Sequence, residues 1–345
     1  FCAVKIHEKY MRRSLELAKN GLPAAMPNPS VGAVIVYQDR IIGEGYTAAY
    51  GGPHAEVNAI RAVKDQSLLS KATLYVSLEP CSHFGKTPPC CDLIIKHKIP
   101  TIVIGTIDTN SKVSGTGIQK IIDAGQTVHV GVLEQECLEL NRRFFTFHNK
   151  KRPYIILKWA ESRDGFIAPT EEFRDNLTNQ KREPYWISNV YSRQLVHQWR
   201  SEEQAILVGT QTVIDDNPKL DVRDWTGKNP IKIVLDQHNR IPKENYIFEN
   251  TSKTIVLTAN EIDYSNKVAK QVADFLFDNE IQSVIIEGGR QTLQTFIDEN
   301  LWDEARVFKG STCLENGVKA PELHSKWTVK KAVVTDELLI FRNHD

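Results

Sequence analysis

Four side chains set the chemistry available to this sequence: His54 and Glu56 in Pro53-His54-Ala55-Glu56, Cys81 in Glu79-Pro80-Cys81, and Cys90 in Pro88-Pro89-Cys90. One imidazole and two thiolates suit zinc, and three protein ligands leave the fourth tetrahedral position open, as a catalytic site requires. Such a site lowers the pKa of water to about 7, so hydroxide is available at neutral pH to add to an amidine carbon of a pyrimidine. The departing amine then needs a proton. Glu56, placed by the pattern in the same first helical turn as His54, can carry it from the water to the leaving nitrogen without ligating the metal. Cys91 is the rival ligand, but successive helical side chains diverge by about 100°, so only one of the pair faces the metal. Cys91 opens the apolar face toward Ile94 and Ile95, which favours Cys90. A lone His or Cys is ordinarily structural; all three in His-x-Glu and Pro-Cys contexts are not.

The second half carries weaker signals. Ile285-Ile286-Glu287-Gly288-Gly289-Arg290 runs from a strand into a helix, where glycines let backbone N–H groups approach phosphate and the helix N-terminus favours anions. It lacks the Gly-x-Gly-x-x-Gly order, so an ordinary Rossmann site is not indicated, and a tight turn is the plain alternative. Gly209-Thr210-Gln211-Thr212, then Asp215-Asp216-Asn217-Pro218 and Arg223, follow another strand. Arg200, ending a helix where the dipole favours a cation, and Arg223 are expected to grip a phosphate together. Surface ion pairs are the alternative for each.

The elements that position these residues follow from periodicity. Helices are expected over 8–19 (Met11, Leu15 and Ala18 on one face), 54–64 with Pro53 near its first turn, 91–97, 118–124 and 134–147, and strands over 31–37, 73–78, 101–105 and 127–130. The alternation implies an α/β sandwich with a largely parallel sheet. His-Asn-Lys-Lys-Arg-Pro at 148–153 is polar and ends in proline, so domains of 1–148 and 153–345 are expected. Beyond it, strands are expected over 154–159, 205–209, 231–235, 254–258, 283–287, 304–308, 329–335 and 338–341. Helices are expected over 188–200, capped by Ser188, and 289–299. The last two strands read as a hairpin turning at Asp336-Glu337, and 169–184 as a polar loop.

Bulk properties narrow the function class. Lys plus Arg and Asp plus Glu are both 43, whereas a nucleic-acid binder usually shows a basic excess. The 345 residues, 41% hydrophobic and 25% charged, fit two soluble domains. No apolar run approaches the ~20 residues of a membrane span, and the N-terminus does not read as a signal peptide. Six unevenly spread cysteines, Cys2, Cys81, Cys90, Cys91, Cys137 and Cys313, suggest a reducing, cytoplasmic setting with thiols free or on metal.

Asn28-Pro29-Ser30-Val31-Gly32-Ala33-Val34-Ile35-Val36, the His54–Glu56 segment, and the run from Leu78 to Cys90 resemble the deaminase half of the bifunctional riboflavin-biosynthesis deaminase–reductases. Cys81 and Cys90 stand further apart than the usual Pro-Cys-x-x-Cys, and the insert Ser-His-Phe-Gly-Lys-Thr-Pro-Pro narrows the family. The resemblance implies a cytidine-deaminase-like fold acting on 2,5-diamino-6-ribosylamino-4(3H)-pyrimidinone 5′-phosphate. It places Asn28 near the ring and the loop 83–87, with Lys86, at the ribose phosphate. Thr47 departs from a histidine frequent in the family; a hydroxyl can still donate to an oxygen but carries no charge.

The pattern Lys158-x-Ala160-x-Ser162-x-Asp164-Gly165, Trp186-Ile187-Ser188, the run 215–223, Val234-Leu235-Asp236 and Glu287-Gly288-Gly289 resembles the reductase half. That implies a dihydrofolate-reductase-like fold and NADPH-dependent reduction of the ribosyl group to ribityl. Carried over, the cofactor side is Ala160, Trp186, Thr212, Asp216 and the turn Gly289, Arg290, Gln291, Thr292, Leu293, Gln294 and Thr295. The substrate side is Arg200, Leu220, Arg223 and Glu287. Trp186 also reads as a core aromatic, and Pro184 replaces a polar residue usual before the Trp.

The partners implied are a small phosphoribosyl pyrimidine, with no nucleic acid and no membrane, and a homo-oligomer, dimer or tetramer, is expected. A nucleic-acid or free-nucleotide zinc deaminase with an accessory binding domain shares the zinc site but predicts a basic, aromatic-lined groove. A binding protein on a dead enzyme scaffold predicts a lost ligand or a lost Glu.

Overall fold

The computed structural model describes residues 2–84, 88–109, 114–170, 185–249 and 251–344, the side chains of residues 2–4 aside. The backbone divides into two compact units, Phe1–Lys151 and Arg152–Asp345.

In the first unit, α1 (Cys2–Lys19) buries Met11, Leu15 and Ala18. The sheet comprises β1 (Gly32–Tyr37), β2 (Arg40–Tyr46), β3 (Thr73–Leu78), β4 (Thr101–Thr106) and β5 (Thr127–Val130), in the order β2-β1-β3-β4-β5. Alternation along the strands builds two cores. Val34, Val36, Tyr75 and Val103 pack with Met11, Leu15 and Cys137 on one face. Ala33, Ile35, Leu74, Val76, Ile102 and Ile104 pack on the other, with Ala59, Ile94 and Ile121 of α2 (Ala55–Ala62), α3 (Cys90–Lys96) and α4 (Thr116–Asp123).

Three expectations change. The sheet is mixed, since β1 pairs antiparallel with both β2 and β3, and the parallel pairings are β3 with β4 and β4 with β5. β2 was not expected: Arg-Ile-Ile-Gly-Glu-Gly-Tyr carries two glycines and only two of its seven residues are buried. The helix expected over 134–147 is two, α5 (Glu134–Leu140) and α6 (Arg142–Lys150). The break is Asn141, whose side chain accepts from Ser30 N and donates to Ser30 O, both at 2.8 Å.

The second unit has an eight-stranded sheet of β6 (Tyr154–Glu161), β8 (Ala205–Gly209), β9 (Ile231–Leu235), β10 (Thr254–Leu257), β11 (Ser283–Ile286), β12 (Glu304–Lys309), β14 (Trp327–Val333) and β15 (Asp336–Arg342). A small ladder pairs β7 (Phe166–Ala168) with β13 (Val318–Lys319). The large sheet runs β10-β9-β8-β11-β6-β12-β15-β14, parallel as far as β12 and antiparallel beyond. Ile155, Leu157, Leu207 and Ile286 face a core shared with α9 (Val268–Asp278) and α10 (Arg290–Asp298). Ile156, Ile206, Val208 and Ile285 face Val196 and Trp199 of α7 (Val190–Glu202).

Between β8 and β9, α8 (Thr210–Asp216) was not expected, and neither was α9. The cap of α7 is Asn189 rather than Ser188: its Oδ1 accepts from Tyr191 N and Ser192 N at 2.9 and 3.0 Å. The C-terminal hairpin turns at Val334-Thr335, not Asp336-Glu337, because Val333 pairs with Asp336. Asp336 is held inside the pairing as a buried acceptor for Asn189 N and Ser192 Oγ.

Candidate functional sites

In the first unit, the carboxyl end of β3 meets the N-termini of α2 and α3. His54 is the N-cap of α2 in extended conformation, not a first-turn helical residue, so its ring projects ahead of the helix. Its Nδ1 lies 3.6 Å from Cys81 Sγ and 3.4 Å from Cys90 Sγ, and the three donor atoms fall within 4.8 Å of one another. Zinc distances of about 2.3 Å to sulfur and about 2.0–2.1 Å to nitrogen put tetrahedral N and S about 3.5 Å apart. The donor set therefore fits zinc in type and spacing. Hydrogen bonds with Cys90 and then His54 lower the Cys81 thiol, which favours the thiolate that a metal takes as ligand.

Glu56, in the first turn of α2, is 3% exposed. Burial, with the Cys81 sulfur beside it, pushes its carboxyl up to about 7, poised to exchange a proton near neutral pH. Cys91 points the other way. Its thiol donates to Cys81 O at 3.0 Å, and its side chain lies in the core.

The turn carrying Cys81 is braced by Glu79, which the sequence reading passed over. Its carboxylate accepts from Asp108 N, Gly115 N and Gly117 N at 3.2, 3.0 and 3.0 Å. Only its position before Pro80-Cys81 pointed to it. Asn28 is half-buried in the segment before β1, and His83 is exposed. Lys86 and Pro184 lie outside the described residues. Thr47 does not offer the free hydroxyl expected of it: the side chain is buried, and its Oγ1 accepts from Val31 N at 2.9 Å.

In the second unit, a cavity of about 770 Å³ opens beside the carboxyl ends of β6, β8 and β11, where ligands bind open parallel sheets. It gathers Ala160, Trp186, Thr212, Asp216, Gly289, Arg290, Gln291, Gln294 and Thr295, together with Arg200, Leu220, Arg223 and Glu287. Trp186 is 53% exposed with the Arg193 guanidinium stacked on its ring, so it is no core aromatic. Thr292 and Leu293, expected with them, do not line the cavity. Leu293 is fully buried in the core, and Thr292 fills the space beside Gly209 and Gly288. Gly289 caps α10 and the six residues after it span more than one turn, so their side chains cannot all face one cavity.

The charges are more tightly paired than expected. Arg200 Nε and one terminal nitrogen donate to the two Glu287 oxygens at 2.8 and 2.9 Å, and Lys158 Nζ reaches Glu287 at 3.3 Å. Burial alone would raise the Glu287 carboxyl, but Arg200 and Lys158 outweigh it and bring it down to about 2. Arg200 is therefore clamped rather than free to join Arg223, whose guanidinium donates to Asp221 Oδ1 at 2.7 Å. His197, also unforeseen, lines the cavity with Nδ1 2.9 Å from Asp221 O and Nε2 3.3 Å from Asp224. Burial, then Arg200 and Arg223, lower its pKa, and since Nδ1 faces a carbonyl oxygen, Nδ1 is the donor of that bond.

Comparison with known proteins follows the same division. Residues 4–106 match the model for the cytidine and deoxycytidylate deaminase zinc-binding region, and residues 153–327 the RibD C-terminal domain. The riboflavin biosynthesis protein RibD of Aquifex aeolicus is 39% identical over 336 residues, covering 92% of this chain and 91% of that protein. The RibD of Bacillus amyloliquefaciens is 36% identical over 340 residues, covering 93% and 88%. A Thermotoga maritima crystal structure superposes with a TM-score of 0.87 at 36% identity, covering 99% of each chain. It is described as a diaminohydroxyphosphoribosylaminopyrimidine deaminase/5-amino-6-(5-phosphoribosylamino)uracil reductase. With both halves matched in this order and similarity running through nine-tenths of the sequence, the chain belongs to the RibD family of riboflavin biosynthesis proteins.

Proposed function

We propose that the chain deaminates 2,5-diamino-6-ribosylamino-4(3H)-pyrimidinone 5′-phosphate in its first unit. Its second unit then reduces the product, 5-amino-6-(5-phosphoribosylamino)uracil, to the ribityl compound with NADPH. It is thus both a hydrolase and an oxidoreductase of riboflavin biosynthesis. The observation that carries the reading is the meeting of His54 Nδ1, Cys81 Sγ and Cys90 Sγ beside the buried carboxyl of Glu56.

His54, Cys81 and Cys90 hold zinc, which supplies when bound a Lewis acid that lowers the pKa of water from about 15.7 to about 7. Glu56 accepts a proton from the attacking water and returns it to the departing amine, so that ammonia leaves and a carbonyl replaces the amidine. Asn28 orients the ring, and Lys86 meets the phosphate.

In the second unit, NADPH supplies the hydride. Ala160, Trp186, Thr212, Asp216 and the N-terminal turn of α10 at Gly289, Arg290 and Gln291, with Gln294 and Thr295, hold the cofactor. The unpaired N–H groups of that turn favour its phosphates. Leu220 and Glu287 shape the substrate side. Lys158 and Arg200 against Glu287 leave one positive charge, and Arg223 adds a fork for the phosphate. Balanced charge, 43 basic and 43 acidic residues, fits a small phosphorylated substrate rather than a nucleic acid. A cytoplasmic homo-oligomer completes the reading, and light scattering on the purified chain tests its association.

The test of the first step is ammonia release from the diaminopyrimidine ribotide without reductant. Release that stops with a zinc chelator and returns with added zinc is the expected result. No ammonia from a zinc-loaded sample overturns the proposal.

A further inference from the structure

We propose that His197 is the positioning residue for Arg223, holding through the Asp221 carbonyl the loop that presents this guanidinium to the substrate's phosphate. The inference rests on the reading of Arg223 as a phosphate contact. The His197 side chain is only 4% exposed, and it stands one helical turn before Arg200 on α7. The two converge on one acceptor: His197 Nδ1 donates to Asp221 O at 2.9 Å and an Arg200 terminal nitrogen at 3.2 Å. A carbonyl oxygen has two lone pairs, so both donors are accommodated.

The loop they hold lies between α8 and β9 and has no regular structure over Lys219–Arg223. It begins with Leu220 at φ +54°, a left-handed conformation that a leucine adopts only when its surroundings impose it. From the clamped carbonyl the line runs outward through the Asp221 side chain to Arg223 at 2.7 Å. Val222 N also donates to Asn229 Oδ1 at 2.8 Å. Arg200 shares the Asp221 carbonyl through the terminal nitrogen not engaged with Glu287, while His197 makes the shorter bond to it at Nδ1 and has Nε2 3.3 Å from the Asp224 carboxylate, next to Arg223. No step of the proposed reduction needs its proton. Its contribution is to hold a guanidinium in place before the anion arrives, which lowers the ordering cost of binding.

Two isolated changes separate the ring's two nitrogens. H197N puts an amide nitrogen where Nδ1 stands and retains the clamp; H197Q keeps comparable volume but reaches as Nε2 does. Steady-state reduction of the phosphoribosylaminouracil is measured for both, for R223Q and for the double variant H197Q/R223Q, with NADPH affinity confirming the folded cavity. H197Q is expected to raise KM about tenfold with kcat changed less than about twofold, and H197N to stay within about threefold of the parent. Because His197 acts through Arg223, the double variant is expected to be no weaker than R223Q alone.

A KM unchanged in H197Q but raised in R223Q overturns this inference and leaves the phosphate reading intact. An unchanged KM in R223Q overturns both. Losses that add in the double variant, or an H197N as impaired as H197Q, assign His197 some other role and also overturn it.

Discussion

Cys90 and Cys91 share a peptide bond and face opposite ways: one sulfur lies 3.4 Å from His54 Nδ1, and the other donates to a backbone carbonyl within the core. C90S is therefore expected to lose bound zinc and deamination together, whereas C91S retains a full equivalent of zinc by elemental analysis. The reverse pattern would exchange the ligands. Glu287 gives a pH prediction. Its folded value is depressed to about 2 from 4.5, so the stability it contributes is fully present above pH 4.5 and is lost as pH falls toward 2. An acid titration of the reductase unit's melting temperature should fall through this window, and E287Q should flatten it. At this scale the meeting of His54, Cys81 and Cys90 beside a buried Glu56 was legible because His-x-Glu and two Pro-Cys contexts rarely coincide in one stretch of sequence. Thr292 and Leu293 turn their side chains from the cavity, a consequence of helical rotation that a run of sequence does not display. His197 was invisible because its partner is a backbone carbonyl 24 positions away.

Among the elements, the long apolar strands were readable from their alternation, and the connections were not. β2 was hidden by its glycines, and Gly43 and Gly45 are required there because α2 packs against that strand at the backbone of Ala55 and Ala59. Gly32 is a sharper case, since a Cβ at that position overlaps the Ser14 carbonyl of α1. G32A is expected to destabilise the deaminase unit by about 1–3 kcal/mol, read as a lowered denaturant midpoint. An unchanged midpoint would mean that α1 does not pack on β1 this closely. Asn189 was missed beside the equally plausible Ser188 because its role is settled by a distant strand: it caps α7 and also donates to Val333 O at 2.7 Å. N189A is expected to cost about 1–2 kcal/mol in the reductase unit, beyond the few tenths of a neutral surface change.

For the molecule as a whole, no helix among the described residues is long and apolar enough to cross a membrane. Each unit assembles its own site from its own strands, the first at the carboxyl end of β3 and the second at those of β6, β8 and β11. The two units part between Lys151 and Arg152, within the polar stretch 148–153, while the mixed pairing of the first sheet was not legible, because its central strands are apolar runs whichever way they pair. The central claim is that two sequential reactions occur at two sites in one chain. NADPH oxidation by E56Q, offered each substrate in turn, tests it most directly. The account predicts no oxidation with the diaminopyrimidine ribotide, which E56Q cannot deaminate, and oxidation at the parent rate with the preformed phosphoribosylaminouracil. Oxidation with the diaminopyrimidine, or its loss with the uracil, would contradict it.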